Sequence, residues 1–181
     1  MAIKSGIRWG RFHKEYGWWH GFPINLPKRI TKKYDWFMVV RNPFDRLISE
    51  FNYFNENTEI DNTEFNRLLV NSIQKEANNT QGRHYSPQHL YCKRQRGLWP
   101  NANGNLHILK YENLDQEFSK LMDLYGINVI LNERKNSAEH WQARRSSKIF
   151  TRQNLMPKTI ETILKYYHED FNVFNYDTKA H

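Results

Sequence analysis

The sequence predicts an α/β domain with a mainly parallel sheet flanked by helices. Two segments, residues 35–55 and 106–126, each have the pattern of a short apolar strand followed at once by an amphipathic helix. A further amphipathic stretch begins at Pro157 and supplies another helix to cover the sheet. The chain of 181 residues is long enough for one domain, and neither a linker nor a repeat divides residues 1–181.

The first strand-to-helix unit gives the clearest local signal. Residues 36–40 are a continuous run of β-forming apolar side chains, typical of a strand buried on both faces. Asn42 and Pro43 then have the residue types of an N-cap and a first helical position. Arg41 therefore stands at the junction of strand and helix. The predicted buried stripe of this helix is Phe44, Leu47, Ile48, Phe51 and Phe54.

The second unit has the same organisation. A strand is predicted over residues 106–111, and the helix that begins near Leu114 should end at Gly126, the residue type commonest after a helix C-terminus. The other predicted segments are, in chain order, a weaker helix over 64–76, a short helix within 84–95, turns over 99–105, a basic polar loop over 133–153 and the last helix from Pro157.

The charge is strongly basic and unevenly distributed. Residues 1–50 hold ten Lys or Arg and four Asp or Glu, which is +6 of the total net charge of +8. A basic face favours an anionic partner such as a nucleic acid, a nucleotide phosphate or an acidic glycan. The alternative is a solvated surface that only keeps the protein in solution.

Cysteine content and hydropathy limit the class of protein to which this sequence can belong. Cys92 is the only cysteine, so no intramolecular disulfide can form, and its aromatic surroundings favour a buried thiol over a nucleophile. No apolar stretch has the length of a membrane span, and the first residues lack the apolar run of a signal peptide. We therefore expect a soluble, cytoplasmic protein from the sequence as written.

The junction at Arg41 is the candidate binding site. A helix N-terminus offers unpaired backbone N–H groups and the positive end of a dipole, and an arginine adds planar donors suited to phosphate. Ser49 lies about 10 Å further along the helix, on the polar flank that also carries Asn42 and Arg46. The competing interpretation is that Arg41 pairs with a carboxylate and Ser49 only faces water.

Residues 39–51, Val-Val-Arg-Asn-Pro-Phe-Asp-Arg-Leu-Ile-Ser-Glu-Phe, resemble a motif of carbohydrate sulfotransferases. These enzymes use 3′-phosphoadenosine-5′-phosphosulfate (PAPS) and have an Arg-x-Pro-x-x-Arg-x-x-Ser pattern at a strand-to-helix turn. The resemblance implies that Arg41 and Ser49 bind the 3′-phosphate of PAPS, with Arg46 beside them. It also implies a P-loop-NTPase-like sulfotransferase fold, lacking the first strand and loop if the N-terminus is short.

The resemblance continues from residue 36 to residue 176. Residues 84–91 resemble the family's His-x-x-Pro-Gln segment, and residues 109–114 its Tyr-Glu-Asn-Leu strand end. Residues 166–176 resemble the closing Tyr-x-x-Asp-Phe-x-x-Phe-x-Tyr helix. We interpret Glu112 and Asp170, within these segments, mainly as scaffold.

The resemblance implies in-line transfer of a sulfuryl group to a hydroxyl, with PAPS as co-substrate and without a metal. Such a transfer needs a base for the acceptor hydroxyl and cations around the leaving phosphate. His20 lies near the position where relatives place a histidine base, and His13 is a weaker candidate. The alternative is that His20 is an ordinary histidine among aromatic side chains.

The family's 5′-phosphosulfate loop, Pro-Lys-x-Gly-x-Thr, has only a degraded counterpart in residues 3–9, which lack its proline and its threonine. Lys4 then corresponds to the catalytic lysine, and Arg8 is a further candidate for the nucleotide, with Arg11 as another cation. Two explanations stay open: a truncated N-terminus, or a diverged protein in which these cations act differently.

Three functions compete at this point. The first is a sulfotransferase acting on a hydroxyl of a carbohydrate, which an acidic acceptor would also fit, with the acceptor pocket formed by residues 56–80 and 95–105. The second is an inactive relative that binds a nucleotide or an anionic glycan. The third, a nucleic-acid-binding module, lacks any recognisable motif. Its contacts would be Arg94, Arg96, Arg144, Arg145 and Lys148.

Many relatives are Golgi enzymes, so an excised lumenal domain is the alternative to a cytoplasmic location.

Overall fold

The computed structural model describes Phe22 and residues 35–55, 59–76, 83–94, 97–98, 105–131 and 149–180. Within these residues the protein is α/β, as predicted, with four α-helices and a parallel pair of strands. The strands are β1 (Trp36–Val40), β2 (Lys93–Arg94), β3 (Gly97–Leu98) and β4 (Leu106–Lys110). The helices are α1 (Pro43–Phe54), α2 (Asn62–Glu76), α3 (Leu114–Leu124) and α4 (Pro157–Val173), with a 3₁₀ turn at Gln88–Cys92.

The two predicted strand-to-helix units lie side by side. β1 and β4 pair in parallel from Trp36 opposite Leu106 to Val40 opposite Lys110, and each is followed by its helix. Because both strands run the same way, the residues that follow them meet at one edge of the sheet. β2 and β3 form a separate short antiparallel pair.

The prediction that β1 is buried on both faces is wrong for part of the strand. Val40 is fully buried, but Phe37 and Val39, on the opposite face, keep 54% and 41% of their surface exposed. Helix α3 packs mainly against β4. Its only ring contact with β1 is the edge-on approach of Phe118 to Phe37 among the residues described.

α1 begins as its sequence predicts. The side chain of Asn42 accepts a hydrogen bond from the N–H of Phe44 at 3.0 Å, and Pro43 occupies the first helical position, where no N–H is needed. The buried stripe holds as far as Phe51, but Phe54 is 53% exposed, contrary to the prediction. Phe54 lies in the last turn, beyond the core, and its ring meets the edge of His84 instead.

The main core lies between α1, α2 and α4. Phe65 stacks on Phe150 with ring centroids 4.1 Å apart, and Phe51 packs edge-on against Phe65. Each buried ring contributes about 1.5–3 kcal/mol by leaving water. The cluster also contains the inward side chains of α4, led by the fully buried Ile163 and Tyr167. The backbone of α4 departs from helical geometry at Tyr167.

Helices α3 and α4 end in the same way with different residues. Gly126 has φ +62°, and the N–H of Ile127 returns to the carbonyl of Met122, so the glycine ends α3 as predicted. At the end of α4 the left-handed residue is Asn175, with φ 51°, and the N–H of Tyr176 bonds the carbonyl of Phe171. This turn directs the chain after α4 back toward the carboxyl end of β4.

The basic loop predicted over residues 133–153 ends earlier in the chain than expected. Residues 132–148 lie outside the described residues, but Arg152–Asn154 form a 3₁₀ turn. Arg152 makes a bidentate ion pair with Asp45 in the first turn of α1, with N–O distances of 2.6 and 2.5 Å. Asn52 of α1 exchanges two hydrogen bonds with the backbone of Phe150. These contacts fix residues 150–152 along α1.

Candidate functional site

The site is built where β1 ends. Arg41, the first residue after the strand, has both of its backbone polar groups bonded to one side chain. Its N–H donates to Oε1 of Gln88 at 2.9 Å, and its carbonyl accepts from Nε2 of Gln88 at 2.8 Å. This reciprocal pair replaces the neighbouring strand that the backbone of Arg41 would otherwise need. The main chain is therefore fixed at the point where the arginine side chain leaves it.

The backbone N–H groups at the start of α1 are largely occupied. The N–H of Asn42 donates to Oε1 of Glu112 at 2.9 Å, the N–H of Phe44 bonds the Asn42 side chain, and Pro43 has none. The expectation that unpaired amides here receive an anion is therefore wrong at these positions. The cause is Glu112, which the end of β4 brings to the helix N-terminus, where the dipole stabilises its charge. At these positions, side chains and not amides remain as donors to a phosphate.

The guanidinium of Arg41 is a donor group that this arrangement leaves available. It lies over the ring of Tyr111, 4.6 Å from the centroid, and the residue is half-buried. It forms no ion pair with any carboxylate among the described residues, which disfavours the interpretation of Arg41 as half of a salt bridge. Stacking on an aromatic face holds a guanidinium in one plane while its N–H edge stays available.

Ser49 and Arg46 separate from each other on α1. Ser49 is exposed two turns above the junction, on the polar flank as predicted. Arg46 instead turns toward the segment after α2, where its Nη2 donates to the carbonyl of His84 at 2.6 Å and its Nη1 is buried without a hydrogen-bond partner. Arg46 therefore holds the backbone of another segment, and its place beside Ser49 at the 3′-phosphate stays a prediction.

Residues 84–89 form the segment that contacts the backbone of Arg41, and Asp170 fixes the position of this segment. Asp170 is fully buried, and it accepts hydrogen bonds from the backbone N–H groups of Gln88 at 2.7 Å and His89 at 2.8 Å. Nδ1 of His89 lies 2.6 Å from the same carboxylate. One turn earlier on α4, the hydroxyl of Tyr167 donates to the carbonyl of Tyr85. The interpretation of Asp170 as scaffold therefore has a definite physical basis.

Glu112 has the corresponding role at the end of β4. One carboxylate oxygen accepts the N–H of Asn42, and the other accepts the hydroxyl of Tyr176 at 2.9 Å. Burial and this hydrogen bond raise the pKa of Tyr176. Glu112 thus joins three separate parts of the chain: the end of β4, the start of α1 and the segment that follows α4.

Gln88 is the residue that sequence reasoning left without a role. It was part of the His-x-x-Pro-Gln resemblance, but no local pattern indicates that its amide reaches a backbone 47 residues away. Its side chain is directed there by the 3₁₀ turn that begins with it and by the hold of Asp170 on its N–H. Only the tertiary structure brings these groups together.

Two titratable groups near the site have altered properties. Burial raises the pKa of the Cys92 thiol to about 11, so it is not a thiolate nucleophile at neutral pH, in agreement with its interpretation as a buried thiol. Burial also raises the pKa of Glu50, although His84 and Arg46 oppose that shift. Nδ1 of His84 is paired with the Glu50 carboxylate.

Several predicted residues lie outside the described part of the chain. They are Lys4, Arg8, Arg11, His13, His20, Arg96, Arg144, Arg145 and Lys148, and the side chain of Arg94 is likewise not described. Within the described residues, no group of three or more His, Cys, Asp or Glu is arranged to hold a metal ion. In the same part of the chain, no helix combines the length and apolar character needed to cross a membrane.

Comparison with known proteins identifies the family. Neither the curated proteins nor the solved structures contain a match to this chain. The sequence model of the sulfotransferase family, however, matches residues 7–177, which is nearly the whole sequence and includes both strand-to-helix units and α4. The α/β architecture and the parallel pairing of β1 with β4 agree with that match. The chain belongs to the sulfotransferase family.

Proposed function

We propose that this protein transfers a sulfuryl group from PAPS to a hydroxyl of a carbohydrate, and that residues 1–181 form one catalytic domain. The observation that carries the proposal is Arg41. Its backbone is locked by Gln88, its guanidinium is stacked on Tyr111, and no described carboxylate neutralises it. A planar cation held at the carboxyl edge of a parallel sheet suits the 3′-phosphate of PAPS.

The proposed chemistry assigns a role to each end of the nucleotide. Arg41 binds the 3′-phosphate by two N–H groups, and the Ser49 hydroxyl adds a third donor. Lys4 and Arg8 neutralise the 5′-phosphate as it leaves. The acceptor oxygen attacks sulfur in line, the bond from sulfur to the 5′-phosphate oxygen breaks, and His20 takes the hydroxyl proton. The products are a sulfate ester and adenosine 3′,5′-bisphosphate.

Calorimetric titration tests the 3′-phosphate site directly. Adenosine 3′,5′-bisphosphate should bind wild type more tightly than adenosine 5′-monophosphate, which lacks the 3′-phosphate. Arg41→Ala should weaken binding of the bisphosphate by at least about 100-fold, because it removes two charged hydrogen bonds of about 1.5–3 kcal/mol each, and Ser49→Ala should weaken it less. Neither variant should change the affinity for the monophosphate.

Arg67→Ala is the matched control. Arg67 is an exposed arginine on α2 that pairs with Glu64, so its removal changes the net charge equally without touching the site. An equal loss of bisphosphate affinity in Arg67→Ala and Arg41→Ala would contradict a specific site. No loss in Arg41→Ala would contradict the assignment of Arg41.

A transfer assay separates catalysis from binding alone. Sulfate-labelled PAPS with neutral and acidic oligosaccharides as acceptors should give labelled product with wild type and far less with His20→Ala or Lys4→Ala. Tight bisphosphate binding without any transfer would instead support the inactive relative that binds a nucleotide. The basic charge of the chain favours the acidic acceptors.

A further inference from the structure

The contact between Gln88 and Arg41 is unusual because it joins a side chain to both backbone groups of one residue. The two hydrogen bonds, 2.9 and 2.8 Å long, reproduce the exchange that a paired strand would make. Gln88 is only 6% exposed, so water is largely excluded from these bonds. The contact therefore sets the direction in which the Arg41 side chain leaves the end of β1.

The position of Gln88 is fixed in turn by Asp170 of α4. The fully buried Asp170 accepts the N–H of Gln88 and the N–H of His89, and its Oδ1 also lies 2.6 Å from Nδ1 of His89. The upstream end of the same segment is fixed by Arg46, which donates to the carbonyl of His84, and by Tyr167, which donates to the carbonyl of Tyr85. The amide of Gln88 thus reaches Arg41 from a segment anchored to both α1 and α4.

We propose that Gln88 is a positioning residue for the 3′-phosphate site, acting through the backbone of Arg41, and that Asp170 sets its position. This inference rests on the proposed function, because it assumes that Arg41 binds the 3′-phosphate. A bidentate guanidinium contact tolerates little displacement, and an error of about 1 Å in a binding group is costly. Without Gln88 the peptide at Arg41 loses both partners and can rotate, which moves the guanidinium.

A buried side-chain amide can also have a purely structural role. Asn66 of α2 is such an amide and serves as the control for Gln88. The side chain of Asn66 is buried, donates to the carbonyl of Asn154 at 2.8 Å and accepts the N–H of Met156 at 2.8 Å. It makes the same kind of reciprocal contact with the main chain, but with Asn154 and Met156 and not with Arg41. Removing it should affect stability without affecting the nucleotide site.

The test combines these variants with two probes. Affinities for adenosine 3′,5′-bisphosphate and adenosine 5′-monophosphate are measured for wild type, Gln88→Met, Asn66→Leu, Arg41→Ala and the Gln88→Met/Arg41→Ala double variant, together with their melting temperatures. Gln88→Met should reduce the preference for the bisphosphate about tenfold, equivalent to about 1.4 kcal/mol. In the Arg41→Ala background it should cause no further reduction, because its effect passes through Arg41.

The outcomes distinguish this inference from the proposed function. If wild type has no preference for the bisphosphate, both the proposed function and this inference are wrong. If Arg41→Ala removes the preference but Gln88→Met keeps it, only the inference fails. An equal loss in Asn66→Leu would also overturn it, since the effect would then be one of stability. If Gln88→Met does not fold, Gln88→Asn, one methylene shorter, keeps the buried amide and should show the same loss.

Discussion

The two edges of the β1–β4 sheet both carry a cluster of polar side chains, but the clusters differ in kind. At the carboxyl edge, the buried side chains of Gln88 and Asp170 and the exposed side chain of Glu112 accept hydrogen bonds from backbone N–H groups of other segments. The guanidinium of Arg41 has no carboxylate partner among the described residues and stacks on Tyr111. At the amino edge, the described polar side chains bond mainly to one another.

The amino edge consists of Asp35, Asn105, His107 and Tyr125. Asp35 accepts the N–H of Asn105 at 2.7 Å through one oxygen and the hydroxyl of Tyr125 at 2.7 Å through the other. The hydroxyl of Tyr125 also lies 2.8 Å from Nε2 of His107. The N–H of Asn105 and then the Tyr125 hydroxyl lower the pKa of Asp35, and the Asp35 hydrogen bond raises the pKa of Tyr125.

The difference shows that a constellation of titratable residues does not by itself mark a site. The amino-edge cluster of Asp, His and Tyr has the residue types of catalytic chemistry, yet it is exposed and joins only the starts of β1 and β4 with the end of α3. At the carboxyl edge, the amide and carboxylate side chains fix the main chain, and the Arg41 guanidinium stays available. Ligands of parallel α/β sheets bind at the carboxyl ends of strands, which agrees with this division.

Replacement of Asp170 should give the largest effect on stability. Asp170→Ala leaves two buried backbone N–H groups and the His89 ring without their acceptor, so the free energy of unfolding should fall by roughly 3 kcal/mol or more. Urea denaturation with an unchanged m-value measures the loss. Asp35→Ala, at the exposed edge, should cost only a small fraction of it. Equal losses for the two variants would remove the distinction between the edges.

The bridge through Glu112 should give a smaller but specific coupling. Glu112→Ala and Tyr176→Phe each remove one side of the hydrogen bond between β4 and the segment after α4. A double-mutant cycle in urea should give a coupling free energy of about 1 kcal/mol, because the acceptor is charged. Tyr166→Phe is the control, since its ring packs at the edge of the core without a hydrogen bond to Glu112. A coupling to Tyr166 as large as that to Tyr176 would contradict a direct contact.

Much of the fold follows from local sequence. Asn42 and Pro43 predict the start of α1, Gly126 the end of α3, and the apolar periodicity after Pro157 the buried face of α4. These signals succeed because a cap, a turn and a helical face depend on residues only a few positions apart. The position of Arg41 at the strand-to-helix junction is predicted for the same reason.

The wrong predictions, and the contacts that local sequence does not predict, have a common physical origin. The exposure of Phe37 and Phe54 depends on which element covers them, and the rotation of Arg46 toward His84 depends on a segment 38 residues away. Gln88 reaches Arg41 across 47 residues, and Asp170 reaches Gln88 across 82. No local period encodes such pairings. The residue types at the site could be predicted, but the assignment of each donor to its acceptor required the tertiary structure.

The smallest expected effect concerns pH and the amino edge. The folded pKa of Asp35 lies below its ordinary value of about 4, so the stabilisation from its hydrogen bonds is present above pH 4 and is lost as the pH falls through the folded value. The difference in unfolding free energy between wild type and Asp35→Asn should therefore be constant from pH 7 to pH 5 and shrink below pH 4. Tyr125→Phe should keep most of the dependence, because the N–H of Asn105 is the larger cause. A difference that does not change with pH would show that Asp35 is an ordinary solvated carboxylate, and the amino edge would then be held by the sheet alone.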